Sequence, residues 1–216
     1  MCLNSESYQN QIRCIITIDI LNIIVLCLMI VISSVFYIWS VSPAALERQI
    51  GEIAYEKSAR NRKIATAAYY LMFLNYVIYY FYPLATPLPD FFPWEYWITA
   101  VIATAIFIPS MYFMYIGARD AGEETLIPKK EHTLYGGIYE KIRHPQALGE
   151  VWLGMVIGLY LNSPLLVALS LVFFPTFYYF CIVEERDLVI RYGQDYIDYR
   201  KRTGMFFPRR EKSRDK

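Results

Sequence analysis

The sequence predicts an all-α integral membrane protein with five transmembrane helices, a basic cytoplasmic loop and a C-terminal amphipathic helix. Hydrophobic residues make up 56% of the chain and charged residues only 19%, and the apolar residues come in blocks unlike those of a soluble domain. Between Glu150 and Glu184 there are 33 residues without a charge. As one helix they would span about 50 Å against a hydrocarbon core of about 30 Å, so the run must fold back. Lys and Arg, finally, are concentrated in alternate connections, as the positive-inside rule requires of a multi-pass chain.

The first span is expected over residues 20–46, a charge-free stretch with Trp39 near its far end. The stretch 15–41 is longer than the core of a signal peptide and lacks a basic flank before it, so it is expected to stay as an anchor. Residues 47–63 carry Arg48, Lys57, Arg60, Arg62 and Lys63 against three glutamates, a pattern suited to a short helix on the cytoplasmic membrane surface. The second span, 64–83, is rich in tyrosine and ends where Pro83, Pro87, Pro89 and Pro93 forbid a helix. The third, 96–118, has Trp94 and Trp97 beside its start and Pro109 as a site for a kink. Asn162, Ser163 and Pro164 then divide the long apolar run into a hairpin, 146–161 and 165–183.

Counting along the chain, the first connection has five Lys or Arg, the second none, residues 119–143 five, and the hairpin tip none. This puts the N-terminus outside and the C-terminus in the cytoplasm. Residues 185–203 place Leu188, Tyr192, Tyr196 and Tyr199 on one stripe, as in a helix resting on the cytoplasmic mouth. The chain thus divides into three N-terminal spans (1–118), a region of hairpin and tail helix (119–208) and a disordered basic tail (209–216). Cys2, Cys14, Cys27 and Cys181 show no paired spacing, so neither a disulfide framework nor a metal site is expected. The net charge of +1 gives no reason to expect a nucleic-acid partner.

Chemistry is best sought where the hairpin returns His144 and Glu184 to one face. Gly136-Gly137 offers a turn whose N–H groups can approach an anion or a planar ring. Arg143-His144-Pro145 places two donors before a helix start, and the same triplet also reads as an interfacial anchor with a helix cap. Glu184-Glu185 either marks where the last span leaves the bilayer or does work there, since a carboxylate at that depth is costly without a partner. The tyrosines of the second and third spans, Tyr112 and Tyr115 among them, read as interfacial belts or packing. Asn22 and Asn75 read as interhelical hydrogen-bond partners. Trp152 reads equally as a core residue or as the wall of a pocket.

His132-Thr133-Leu134, Gly137-Ile138-Tyr139, Arg143-His144-Pro145, Glu184-Glu185 and the segment from Tyr192 to Tyr199 resemble, over about 131–208, the C-terminal half of the isoprenylcysteine carboxyl methyltransferases, which are themselves similar to phospholipid methyltransferases. The first three spans share only hydropathy with that family. The resemblance implies an S-adenosylmethionine site closed by the cytoplasmic loop and tail helix, with a lipid or lipid-linked acceptor arriving sideways from the bilayer. It assigns cofactor binding to His132, Leu134, Tyr135, Tyr139, His144, Pro145, Gln146, Ala147, Glu184 and Glu185, and catalysis to Arg143, His144 and Glu184. The family's arginine shortly before the glutamates, thought to meet a substrate carboxylate, is here replaced within Tyr178-Tyr179-Phe180-Cys181. Two other readings stand beside this one: an NADPH-dependent membrane reductase of the sterol type, which shares an Arg-His-Pro helix start, and a non-catalytic lipid-binding scaffold.

Overall fold

The computed structural model describes residues 5–83, 86–128 and 136–209. Nine α-helices account for most of them, and among the described residues there is no strand, only one isolated bridge between Ile142 and Gly204. In order they are α1 (Ser5–Ser40), α2 (Pro43–Ile50), α3 (Ile53–Phe81), α4 (Tyr96–Ala121), α5 (Pro145–Glu150), α6 (Leu153–Tyr160), α7 (Pro164–Ser170), α8 (Phe173–Tyr192) and α9 (Gln194–Arg202). Four helical stretches, Ile20–Ser40, Ile53–Phe81, Tyr96–Thr125 and Pro164–Tyr192, are long and apolar enough to cross a membrane. The chain is therefore a multi-pass membrane protein. Ile24 (57% exposed), Leu74 (57%) and Ile108 (64%) belong to the broad apolar faces left bare on α1, α3 and α4, which lipid covers at no hydrophobic cost.

Where the helices differ from the sequence expectation, local chemistry gives the reason. The first apolar stretch stops at Ser40 rather than 46, because Pro43 starts a separate short helix, α2. The basic segment 47–63 is not a surface helix of its own. Gly51, at φ 73°, ends α2, and with no Pro or Gly from Ile53 to Phe81 the basic residues simply extend α3 beyond its apolar part. Helix α4, the third expected span, runs unbroken through Pro109.

The hairpin exists, but each arm is broken once. In the second arm Pro175 lacks the N–H that would bond the Leu171 carbonyl; Phe174 N–H takes that carbonyl at 3.3 Å instead, and the helix tightens between α7 and α8. In the first arm Trp152 N–H bonds Gly149 at 3.4 Å in the same tighter pattern. The tip behaves as expected: Ser163 Oγ accepts from Leu166 N at 3.4 Å, and Asn162 adopts a left-handed φ of 53°. The tail is two helices rather than one, because Gly193 at φ 59° turns the chain between α8 and α9.

The interior is built around α1, α3 and the hairpin. Leu26, Met72, Tyr76, Leu166 and Phe173 are almost wholly buried there, and Asn75 donates to Asn22 at 2.5 Å across α1 and α3. At one end of the bundle α8 ties the N-terminal helices down. Asp187 accepts from the backbone N–H groups of Ala44 (3.1 Å) and Ala45 (2.7 Å), which are free donors at the start of α2.

Candidate functional site

Past α9 the chain runs back beside the segment before α5. Gly204 accepts from Arg143 N at 2.9 Å and Met205 from His144 N at 3.1 Å. This strap fixes the backbone of the Arg-His-Pro segment, and Pro145 takes the first position of α5, where its missing N–H costs nothing. His144 is the N-cap residue, yet its side chain makes no capping bond. Its imidazole points instead at α8: Nδ1 lies 3.4 Å from Glu184 Oε2 and Nε2 3.2 Å from Glu185 Oε1. The hairpin thus brings the imidazole and the acidic pair together, and the capping explanation of the histidine falls away.

The two glutamates differ. The Glu185 side chain is 8% exposed, accepts from Arg143 Nε at 2.7 Å and does not border the cleft described below. The Glu184 side chain is 33% exposed and borders it. Arg143 is spent on structure, since its Nη1 also reaches the carbonyls of Thr203 at 2.5 Å and Arg200 at 3.3 Å. Burial opposes a charge on His144, but hydrogen bonds to Cys181, Glu184 and Glu185 outweigh it and hold the imidazole well above its ordinary range. The two carboxylates beside it favour the protonated imidazole.

Beside this cluster opens a cleft with about 950 Å³ of empty space, its mouth included. Of the residues expected in the site, Tyr139, Arg143, His144, Gln146, Ala147 and Glu184 border it; Pro145 and Glu185 do not. His132, Leu134 and Tyr135 lie outside the described residues. Gln146 Nε2 donates to Tyr139 Oη at 3.1 Å and to Thr125 Oγ1 at 3.2 Å. Tyr139 in turn donates to the Gly117 carbonyl at 3.2 Å, and Tyr199 donates to the Tyr139 carbonyl at 2.7 Å. Burial pushes the Tyr139 and Tyr196 phenols up and that of Tyr199 to about 12, so all three remain proton donors.

The glycine turn is occupied from within. Asp120 Oδ2 accepts from Ile138 N at 2.8 Å, and a side chain at Gly137 would strike that carboxylate. Trp152 is not a cleft residue. It packs edge-on against Phe174, ring centroids 4.8 Å apart, and borders a separate apolar cavity with Phe113 and Phe206.

The cleft also contains residues that sequence reasoning missed. Arg62 comes from α3, donating from Nη1 to the Glu124 carbonyl at 2.9 Å and from Nη2 to the Ser40 carbonyl at 3.4 Å. Arg191 forms a buried pair with Glu124. Arg62 Nε, Arg191 Nε and Nη2, and the Tyr196 hydroxyl are buried with no hydrogen-bond partner among the described residues. A signal for Asp187 and Arg191 was present: Glu184, Asp187, Leu188, Arg191 and Tyr192 all border the cleft, at the spacing of one helical face.

Residues 94–195 match the family model of the phospholipid methyltransferases. That stretch, which includes His144, Gln146, Glu184 and Arg191, is similar to this family. The match begins at residue 94 rather than near 131, so α4 falls within it and is more than a helix of similar hydropathy; it stops at 195, short of nearly all of α9. No curated protein matches the chain, and no solved structure does.

Proposed function

We propose that the chain transfers a methyl group from S-adenosylmethionine to a lipid or lipid-linked acceptor at the cytoplasmic face of a membrane. The observation that carries this reading is the set of unsatisfied donors in a cleft bordered by family residues. A buried N–H or O–H without a partner costs about 1–3 kcal/mol, and Arg62, Arg191 and Tyr196 each contribute at least one. A ligand with a carboxylate and ribose hydroxyls, as this donor has, would satisfy them. Arg62 and Arg191 would hold the carboxylate, the open Glu184 the ammonium or a ribose diol, and Tyr196 a hydroxyl. When bound, the donor supplies a methyl already activated on a sulfonium.

The protein's part is then placement and exclusion of water. Orientation alone can contribute about 7–11 kcal/mol, and His144, fixed by backbone and by both glutamates, holds the Glu184 carboxylate in position. In this proposal the arm 146–161 is a fifth span, with the N-terminus outside and the C-terminus inside. The methyltransferase family match favours methyl transfer over a sterol-type reductase. Incubating membranes that contain the protein with labelled S-adenosylmethionine, extracting lipids and separating them by chromatography tests the reading. A labelled lipid absent from control membranes supports it; stabilisation by NADPH and not by S-adenosylmethionine would favour the reductase.

A further inference from the structure

The apolar cavity beside Trp152 is a groove with about 950 Å³ of empty space, its mouth included. Ile106, Phe113, Leu148 and Phe206 border it with Trp152, and the hydroxyl of Ser110, also on its border, is satisfied by the Ile106 carbonyl at 2.8 Å. Lys141 is the one charged residue on that border among those described. It is exposed, and its ammonium makes no hydrogen bond or ion pair with the described residues.

The groove and the cleft have no bordering residue in common, yet they share a wall. Along residues 138–148 chain neighbours serve one space each: Ile138, Ile142 and Leu148 border the groove, while Tyr139, Arg143 and Ala147 beside them border the cleft. The strap repeats the arrangement. Its Gly204 and Met205 carbonyls hold the N–H groups of Arg143 and His144 at 2.9 and 3.1 Å, and the next three residues, Phe206, Phe207 and Pro208, border the groove. Whatever fills the groove therefore bears on the backbone that positions His144.

Depth and charge specify the occupant. Ala105 and Phe113, eight residues apart in α4, both border the groove, so it extends about 12 Å along a helix long and apolar enough to cross a membrane. That depth suits an aliphatic chain. Lys141 belongs to a basic edge, because Gly204 N–H donates to its carbonyl at 3.4 Å and so sets it beside the end of α9, whose last turn holds Arg200, Lys201 and Arg202. Arg209 returns to the same edge through its bond to the Lys201 carbonyl. Phe207, 76% exposed beside these bases, has the pairing of aromatic ring and positive charge that sits at an anionic headgroup layer. The chain's own tail is no substitute, since residues 210–216 contain no apolar side chain.

We propose that the groove binds one anionic phospholipid, with an acyl chain against Trp152 and Phe206 and the headgroup phosphate at Lys141, and that this lipid holds the strap against the backbone of Arg143 and His144. The site does not depend on the methyl-transfer reading. With α5 and the strap between groove and cleft, the bound lipid is a structural ligand and not the acceptor.

The test uses the purified full-length protein in detergent, with dioleoylphosphatidylglycerol and the net-neutral dioleoylphosphatidylcholine as probes and bound lipid counted by native mass spectrometry. The wild type is expected to retain one phosphatidylglycerol about fivefold more tightly than phosphatidylcholine, the worth of one lysine beside an anionic headgroup. Lys141→Gln should bring the two affinities together. Ala105→Phe, which fills the groove from an exposed position on α4, should weaken retention of phosphatidylglycerol and so locates the chain independently of the charge. Hydrogen exchange reads the effect on the strap: phosphatidylglycerol should slow exchange of the Arg143 and His144 amides in the wild type and not in Ala105→Phe. Retention of neither lipid, a preference that survives Lys141→Gln, retention indifferent to Ala105→Phe, or exchange at those amides unchanged by lipid overturns the proposal. So does a two-chain mass abolished by Ala105→Phe, which would give the groove to a second copy.

Discussion

The imidazole of His144 stands 3.2 Å from the carboxylate of Glu185, 41 residues later in the chain. Glu185 also meets Arg143 at 2.7 Å, so one buried carboxylate pairs with two basic side chains. Removing one member of a buried ionic cluster costs about 3–5 kcal/mol, because the others stay buried without compensation. Glu185→Ala is therefore expected to lower stability in detergent by about that amount. Glu184→Ala, at a 33% exposed position, should cost about 1 kcal/mol or less. Denaturant titration of the two variants checks this, and equal losses would count against the division of labour.

The protonated His144 makes stability depend on pH. Its folded-state pKa is raised well above the ordinary value, so its contribution is complete below the unfolded value of about 6.5 and is lost as pH rises through the folded one. The gap in thermal stability between wild type and His144→Gln should be widest near pH 6 and narrow toward alkaline pH. A gap that widens with rising pH would show that the imidazole is neutral in the fold.

Arg191 presents Nε and Nη2 without partners while its Nη1 holds Glu124. Lysine can keep the pair with Glu124 but has no planar fork to offer a second acceptor. Arg191→Lys should thus fold normally and bind S-adenosylmethionine about ten- to a hundredfold more weakly, the worth of a hydrogen bond to a charged group. Isothermal titration checks it, with unchanged affinity as the contrary result.

Gly149 lets α5 lie directly on α4, and a side chain there would strike the Ser110 carbonyl and the Met114 side chain. Because a backbone carbonyl cannot move aside, Gly149→Ala is expected to destabilise by about 1–3 kcal/mol. A neutral or stabilising result in thermal unfolding would mean that the helices are less closely packed.

The hairpin could be read from the sequence because its causes are local: an uncharged run too long for one crossing, and Asn162-Ser163-Pro164 to turn it. From that turn the meeting of His144 with Glu184 and Glu185 followed. The breaks in both arms could not be read from hydropathy. One depends on which carbonyl Pro175 leaves without its donor, and the other falls beside Gly149, where α5 meets α4. Arg62 and Glu124 were equally hidden, since a charge in a basic connection looks solvated until tertiary packing folds α3 over the loop after α4. The resemblance assigned Arg143 to catalysis; what the sequence did not show is that its guanidinium also bonds the carbonyls of Arg200 and Thr203 and the Glu185 carboxylate.

The central claim, that the cleft beside His144 and Glu184 holds the methyl donor, is tested most directly by equilibrium binding of tritiated S-adenosylmethionine to purified wild type and Glu184→Ala. Saturable binding to the wild type, at least tenfold weaker in the variant, is the result expected. No saturable binding to the wild type, or binding that Glu184→Ala leaves unchanged, would contradict it.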